Sequence, residues 1–146
     1  MASQWEYIEE GDAEAAVVDI LLNETPELSV WDDLMISTNL IGYSFGNRFI
    51  CVSQEGSIDG LPSIDHPRID VEVFAERRSV ARDIAASCLA SLKYNKGRYR
   101  GNGLFLSDVN VEQGLTRVPD KREGCERYVF AVRLTTKVSG TLIPSS

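Results

Sequence analysis

Apolar residues fall at three- and four-residue spacing from Ala13 through Ala16, Val17, Ile20 and Leu21, which marks one face of an amphipathic helix. Asp12 is placed to cap its first turn, and Glu14 puts a negative charge where the helix dipole favours one. Thr25-Pro26 ends it, because the residue before proline is driven out of α geometry. The pattern predicts a helix over 12–24. A second helix is marked by Val80, Ile84, Cys88 and Leu92, flanked by Ala81, Ala85 and Leu89, with Arg82, Asp83, Ser87 and Ser91 towards the other side. Ser79 is its candidate N-cap, and Asn95 and Gly97 end it. Its apolar stripe is narrow and alanine-rich, a surface suited to close packing on a sheet.

Strand patterns surround these helices. Phe49-Ile50-Cys51-Val52 is a short run of strand-forming types. In the segment 68–75, Ile69, Val71, Val73 and Ala75 share one face, and Asp70, Glu72 and Phe74 the other. Later, Phe105, Val109 and Val111 alternate with Leu106, Asp108 and Asn110, and Tyr128, Phe130, Val132, Leu134 and Thr136 alternate with Val129, Ala131, Arg133 and Thr135. Residues 54–67, 93–103 and 114–126 contain the glycines, prolines and polar residues of loops. Residues 28–47 follow no period and read as a short strand with a covering loop. The expected fold is α+β: a single, mostly antiparallel sheet of about four to five strands with two main helices on one face. It forms one domain over 1–138, with a flexible tail over 139–146.

Composition narrows the function classes. The 146 residues suffice for one core, and the 43% hydrophobic and 25% charged fractions are those of an ordinary globular domain. A net charge of −7 argues against coating nucleic acid or docking on an anionic membrane, both of which need clustered cations. The start of the chain lacks the basic and apolar regions of a signal peptide, and no apolar run approaches the roughly 18 residues of a membrane span. Three cysteines, Cys51, Cys88 and Cys125, therefore read as free thiols in a reducing compartment. Cys51 and Cys88 read as small core residues, and Cys125 as part of a polar, exposed loop.

Few residues offer chemistry. His66 is the only histidine and precedes Pro67. A small hydrolase would have to pair it with Ser63 or Cys125, yet no nucleophile motif accompanies it, and a plain loop histidine is the better reading. The cysteines and histidine lack metal-ligand spacing, and Asp70 with Glu72 reads as a solvated strand face, so neither a metal nor a cofactor is expected. The stretch Lys93 to Gly103 combines four basic residues, two tyrosines and three glycines, a composition also found in flexible nucleic-acid-binding loops. In an acidic chain it fits a protein interface better.

The pattern from Phe49 to about residue 138 resembles a known family. An Asp65-His66-Pro67-Arg68-Ile69-Asp70-Val71-Glu72-Val73-Phe74 strand, the alanine-rich helix 77–92 and a closing Arg127-Tyr128…Leu134-Thr135 strand look like the tail terminator and minor tail proteins of long-tailed phages infecting actinobacteria. The resemblance implies a non-enzymatic virion protein. It would form a six-fold ring on the last ring of the major tail tube protein, stop polymerisation, and offer its other face to neck connector proteins. DNA would pass through an acidic channel without specific binding. Assembly would take place in the host cytoplasm, and the mature location is the virion tail or neck. A head-completion or neck connector protein is the nearest alternative.

Candidate contact residues follow from the loops. They are Glu55, Asp59, Asp65 and Arg68 in or beside 54–67, Lys96, Arg98, Tyr99 and Arg100 in 93–103, and Arg117, Asp120, Lys121 and Arg122 in 114–126.

Overall fold

The computed structural model describes residues 12–40, 43, 47–58, 64–119 and 124–138. The first helix, α1 (Ala13–Asn23), begins where expected: the Asp12 side chain accepts from the Ala15 N–H at 3.0 Å. Its Ala13, Ala16, Val17, Ile20 and Leu21 are buried. A 3-10 turn follows over Pro26–Val30 and leads to a short strand, β1 (Met35–Ser37). Then come β2 (Phe49–Ile58), β3 (Ile64–Ala75), α2 (Arg78–Tyr94), β4 (Arg100–Gly101), β5 (Leu104–Val118) and β6 (Glu126–Val138).

Among the described residues six strands form one sheet in the order β1-β2-β3-β6-β5-β4, parallel between β1 and β2 and antiparallel elsewhere. The sheet is thus larger than expected, and mixed. Both edge strands are short: the three-residue β1 falls where a short strand is expected within 28–47, and the two-residue β4, too short for periodicity to reveal, falls in an expected loop. Strand pairing also extends into the expected loops. The first runs through Ile58 and resumes at Ile64, and the third narrows to the turn between Val118 and Glu126.

One face of the sheet packs under both helices. At its centre Ile69 pairs with Val132, Val71 with Phe130, and Val73 with Tyr128, all buried beneath Ile84, Ala85, Cys88 and Leu92 of α2. Alanines at 81 and 85 let the α2 backbone approach the strands, and apolar area removed from water here drives the fold. The alternations read for β3 and β6 hold throughout. That for β5 does not. A register shift between Leu106 and Asp108 moves the inward phase, so Leu104 and Leu106 face the core with Val109 and Val111, while Phe105 faces out beneath Arg100.

A smaller cluster lies on the opposite face. Phe49, Phe74 and Cys125 are buried there, with Tyr43 packed against them at ring distances of 5.6 and 4.8 Å. Cys125, expected to be exposed, is only 3% accessible because it closes this cluster where β6 begins. Cys51 is half-buried and Cys88 fully buried.

Candidate functional site

The strand registers fix which candidate residues can act together. Ile64 of β3 pairs with Lys137, and Ala75 pairs with Glu126. The β2–β3 connection and the β5–β6 connection therefore lie at opposite ends of β3, whose 12 residues span roughly 40 Å at 3.3 Å per residue. Asp65, Lys96, Arg98, Tyr99 and Arg100 belong to the first end, with Glu55 and Arg68 a few residues further along their strands. Arg117 belongs to the second. Asp59, Asp120, Lys121 and Arg122 lie outside the described residues, as does the expected tail 139–146.

The segment after α2 is tightly engaged with its own chain. Asn95 caps the helix, its side-chain amide donating to the Ser91 carbonyl at 2.8 Å, and Gly97 takes a positive φ of 73° that few other residues adopt. Lys96 pairs with Asp108 at 3.0 Å, and that bond holds the Asp108 carboxyl below its ordinary pKa. Arg98 stacks 4.6 Å over Tyr94, and Arg100 4.3 Å over Phe105. Tyr99 turns inward: its hydroxyl donates to Asp19 of α1 and accepts from the Asn102 amide. Burial, then the carboxylate of Asp19, pushes the Tyr99 hydroxyl up to about 12. The stretch is therefore a pinned segment carrying β4, and of its candidates only Lys96, Arg98 and Arg100 offer charge to a partner.

The open face of the sheet carries an ion-pair lattice. Arg127 pairs with Glu72 at 2.9 Å, Arg133 with Glu112 at 3.1 Å, and Arg68 with Asp70 at 3.2 Å. Asp70 and Glu72, the carboxylate pair noted on one strand face, thus each meet an arginine. Among the described residues no group of three His, Cys, Asp or Glu side chains is placed to hold a metal ion. Glu55 accepts from the Ser53 hydroxyl, and the Asp65 carboxylate from the His66 N–H.

The Cys–His pair does not assemble. His66 is a strand residue opposite Ile58, and its Nδ1 lies 3.2 Å from the Thr135 hydroxyl. Cys125 adjoins Glu126 at the Ala75 end of β3, nine positions away, or roughly 30 Å. The Cys125 sulfur instead lies 3.2 Å from the Tyr43 hydroxyl. Ser63 lies outside the described residues.

Two features escaped the sequence. Arg48 clamps the stretch that showed no period: it bonds Glu76 at 2.7 Å, Asp33 at 3.2 Å, and lies 4.9 Å over the Trp31 ring. A cleft of about 880 Å³ also opens at the start of α2, where Arg78 and Arg82 meet Arg117 and Tyr128 across the sheet. Arg78 and Arg82 are neighbours on α2, but Arg117 lies 35 residues beyond Arg82, and the β5–β6 register that sets it opposite Tyr128 brings it to the helix start.

No family model matches the chain, and no curated protein matches it. Among solved structures it is similar to a chain of the "Virion of native gene transfer agent (GTA) particle", with a TM-score of 0.55 at 12% identity, over 86% of this chain and 94% of that one. The likeness covers nearly the whole of both chains and establishes a shared fold.

Proposed function

We propose that the protein is a structural component of a phage-like virion, a tail terminator that caps the tail tube, stops its polymerisation and offers a second surface for joining to the head. The observation that carries this reading is the shared fold with a virion chain, end to end, in a sequence that itself resembles terminators. The two-ended subunit supports it. A cap needs one surface for the tube and a different one for the neck, and here the two long hairpins close at opposite ends of the sheet. A cyclic ring of such subunits uses one heterologous contact and exposes a distinct surface on each side. Individually weak contacts repeated around the ring supply avidity. The net charge of −7 suits a lumen through which DNA slides, since like charge suppresses phosphate binding.

The test is the mass of the purified protein, by native mass spectrometry, alone and with purified tail tubes. A six-fold ring, in solution or on tube ends, is the expected result. A monomer that ignores tubes overturns the reading, and binding to portal complexes would then identify a neck connector.

A further inference from the structure

Two patches of opposite sign are only partly compensated within the subunit. The first is the arginine cleft. Arg78 donates to the Tyr128 hydroxyl at 3.2 Å and Arg117 pairs with Glu126 at 3.2 Å, but Arg82 has no ion pair among the described residues. The first turn of α2 holds no acidic residue, and its N-cap residue Arg77 makes no side-chain capping bond. Cations thus gather at the positive end of a helix dipole, against the local preference.

The second patch is acidic. Glu24 and Glu27 border a groove of about 660 Å³ whose floor includes Ala86 and Ala90 of α2. Neither glutamate has an ion pair among the described residues. Glu24 is the C-cap of α1, whose last turn contains no basic residue, so carboxylates gather at the negative end of a dipole. Both helix ends therefore carry charge that the isolated subunit disfavours, and each supplies what the other lacks. Sites that break a local rule without internal compensation are where an external partner is expected.

We propose that the arginine cleft of one copy receives Glu24 and Glu27 of the next copy. The inference rests on the ring reading above and names the contact between its neighbours. Unlike patches can join head to tail, the heterologous contact that a ring requires; a closed two-fold dimer in place of the ring would mean that the patches pair reciprocally, and overturns the reading. Arg82 and Ala90 stand eight residues apart on α2, about 12 Å, and the small side chains between them leave room for a neighbouring helix end.

The test uses Arg82→Glu and Glu27→Arg in the full chain. Each variant places like charges across the contact and is expected to abolish the ring, whether it forms in solution or on tube ends. Circular dichroism should show both folded, because both side chains are exposed. Mixed in equal amounts, the two variants restore opposite charges at every contact of an alternating ring, so the ring should reappear. The milder Arg82→Gln is expected to weaken assembly about tenfold, a loss that shrinks at high salt. Intact rings from either single variant, or failure of the mixture to assemble, overturn the contact while the terminator reading stands. Rings that form normally but no longer seat on tubes assign the cleft to the tube protein and also overturn it. A wild-type chain that never forms a ring removes the terminator reading, and this contact with it.

Discussion

The Tyr99 hydroxyl lies 2.5 Å from the Asp19 carboxylate, 80 residues earlier in the chain, and this bond ties the segment after α2 to the outer side of α1. A Cβ at Gly101 would stand 2.7 Å from that hydroxyl, so the bond also requires glycine beside it. Tyr99→Phe is expected to cost about 1–2 kcal/mol, because it removes the buried hydroxyl that bonds both the Asp19 carboxylate and the Asn102 amide. Gly101→Ala should cost a similar amount by forcing the ring aside. Urea unfolding of both variants checks this.

The same bond carries a pH dependence. The Tyr99 hydroxyl has a folded-state value raised to about 12, above the ordinary 10. The folded protein therefore holds this proton more tightly than the unfolded chain does. The associated stability is fully present below pH 10 and is lost as pH rises towards 12. Tyr99→Phe should flatten the fall in melting temperature over that window; an unchanged slope would assign the fall to other groups.

Glu76 gives the opposite sign. Its bond to Arg48 depresses the carboxyl below the ordinary value, so the contribution is present above about pH 4.5 and fades as pH falls through the lowered value. Both side chains are about a third exposed, and solvent screening limits the pair to roughly 1 kcal/mol or less. Arg48→Lys keeps the charge but loses the forked donor and the flat stack over Trp31. The expected result is a small loss of stability at neutral pH and a weaker dependence on acid.

Thr25 and Ser91 share a buried 2.6 Å hydroxyl bond between the end of α1 and the last turn of α2. Thr25→Val or Ser91→Ala alone should cost about 1–2 kcal/mol by leaving a partner unsatisfied. The double variant should cost clearly less than the sum, since the two act as one unit. Strict additivity would show that the pair is not coupled.

Thiol labelling reports the cysteine environments. Cys88 is enclosed, and burial pushes its thiol up; Cys51 is half-buried, and burial with nearby Glu72 and Glu14 raises it as well. Cys125 is covered by the aromatic cluster. Native protein at pH 8 should therefore label slowly, Cys51 first, whereas denatured protein labels at all three positions.

The two helices and the strands β3 and β6 are legible because each carries a long, unbroken period with one face buried. The fault in β5 has a definite origin. Its register shifts insert residues that periodicity cannot see, so simple alternation groups Phe105 with Val109 although it faces the other way. β1 has three residues and is held by parallel pairing to β2 and by the Arg48 clamp, which are long-range contacts. Cys125 has charged neighbours that suggest solvent, yet it fills the end of an aromatic cluster assembled from Tyr43, Phe49 and Phe74. The same limit applies to the sites. The charges at 96, 98 and 100 are visible in the chain, while their partners Asp108, Tyr94 and Phe105 are not, and the arginine cleft requires the fold to exist.

The central seam of the sheet has a consequence in time. β3 and β6 meet through pairs such as Ile64 with Lys137, the most distant in sequence of any neighbouring strands here, whereas β2–β3 and β5–β6 are hairpins closed by short connections. Short loops close fast and long ones slowly. Each hairpin can therefore form early, with the rate of folding set by their docking under α2. Val71→Ala, on that seam, should slow refolding, whereas Leu28→Ala, the buried residue of the 3-10 turn, should mainly speed unfolding. Until the seam closes, both hairpins carry an open edge, so the folding chain is most prone to wrong pairing at that stage and more so as its concentration rises.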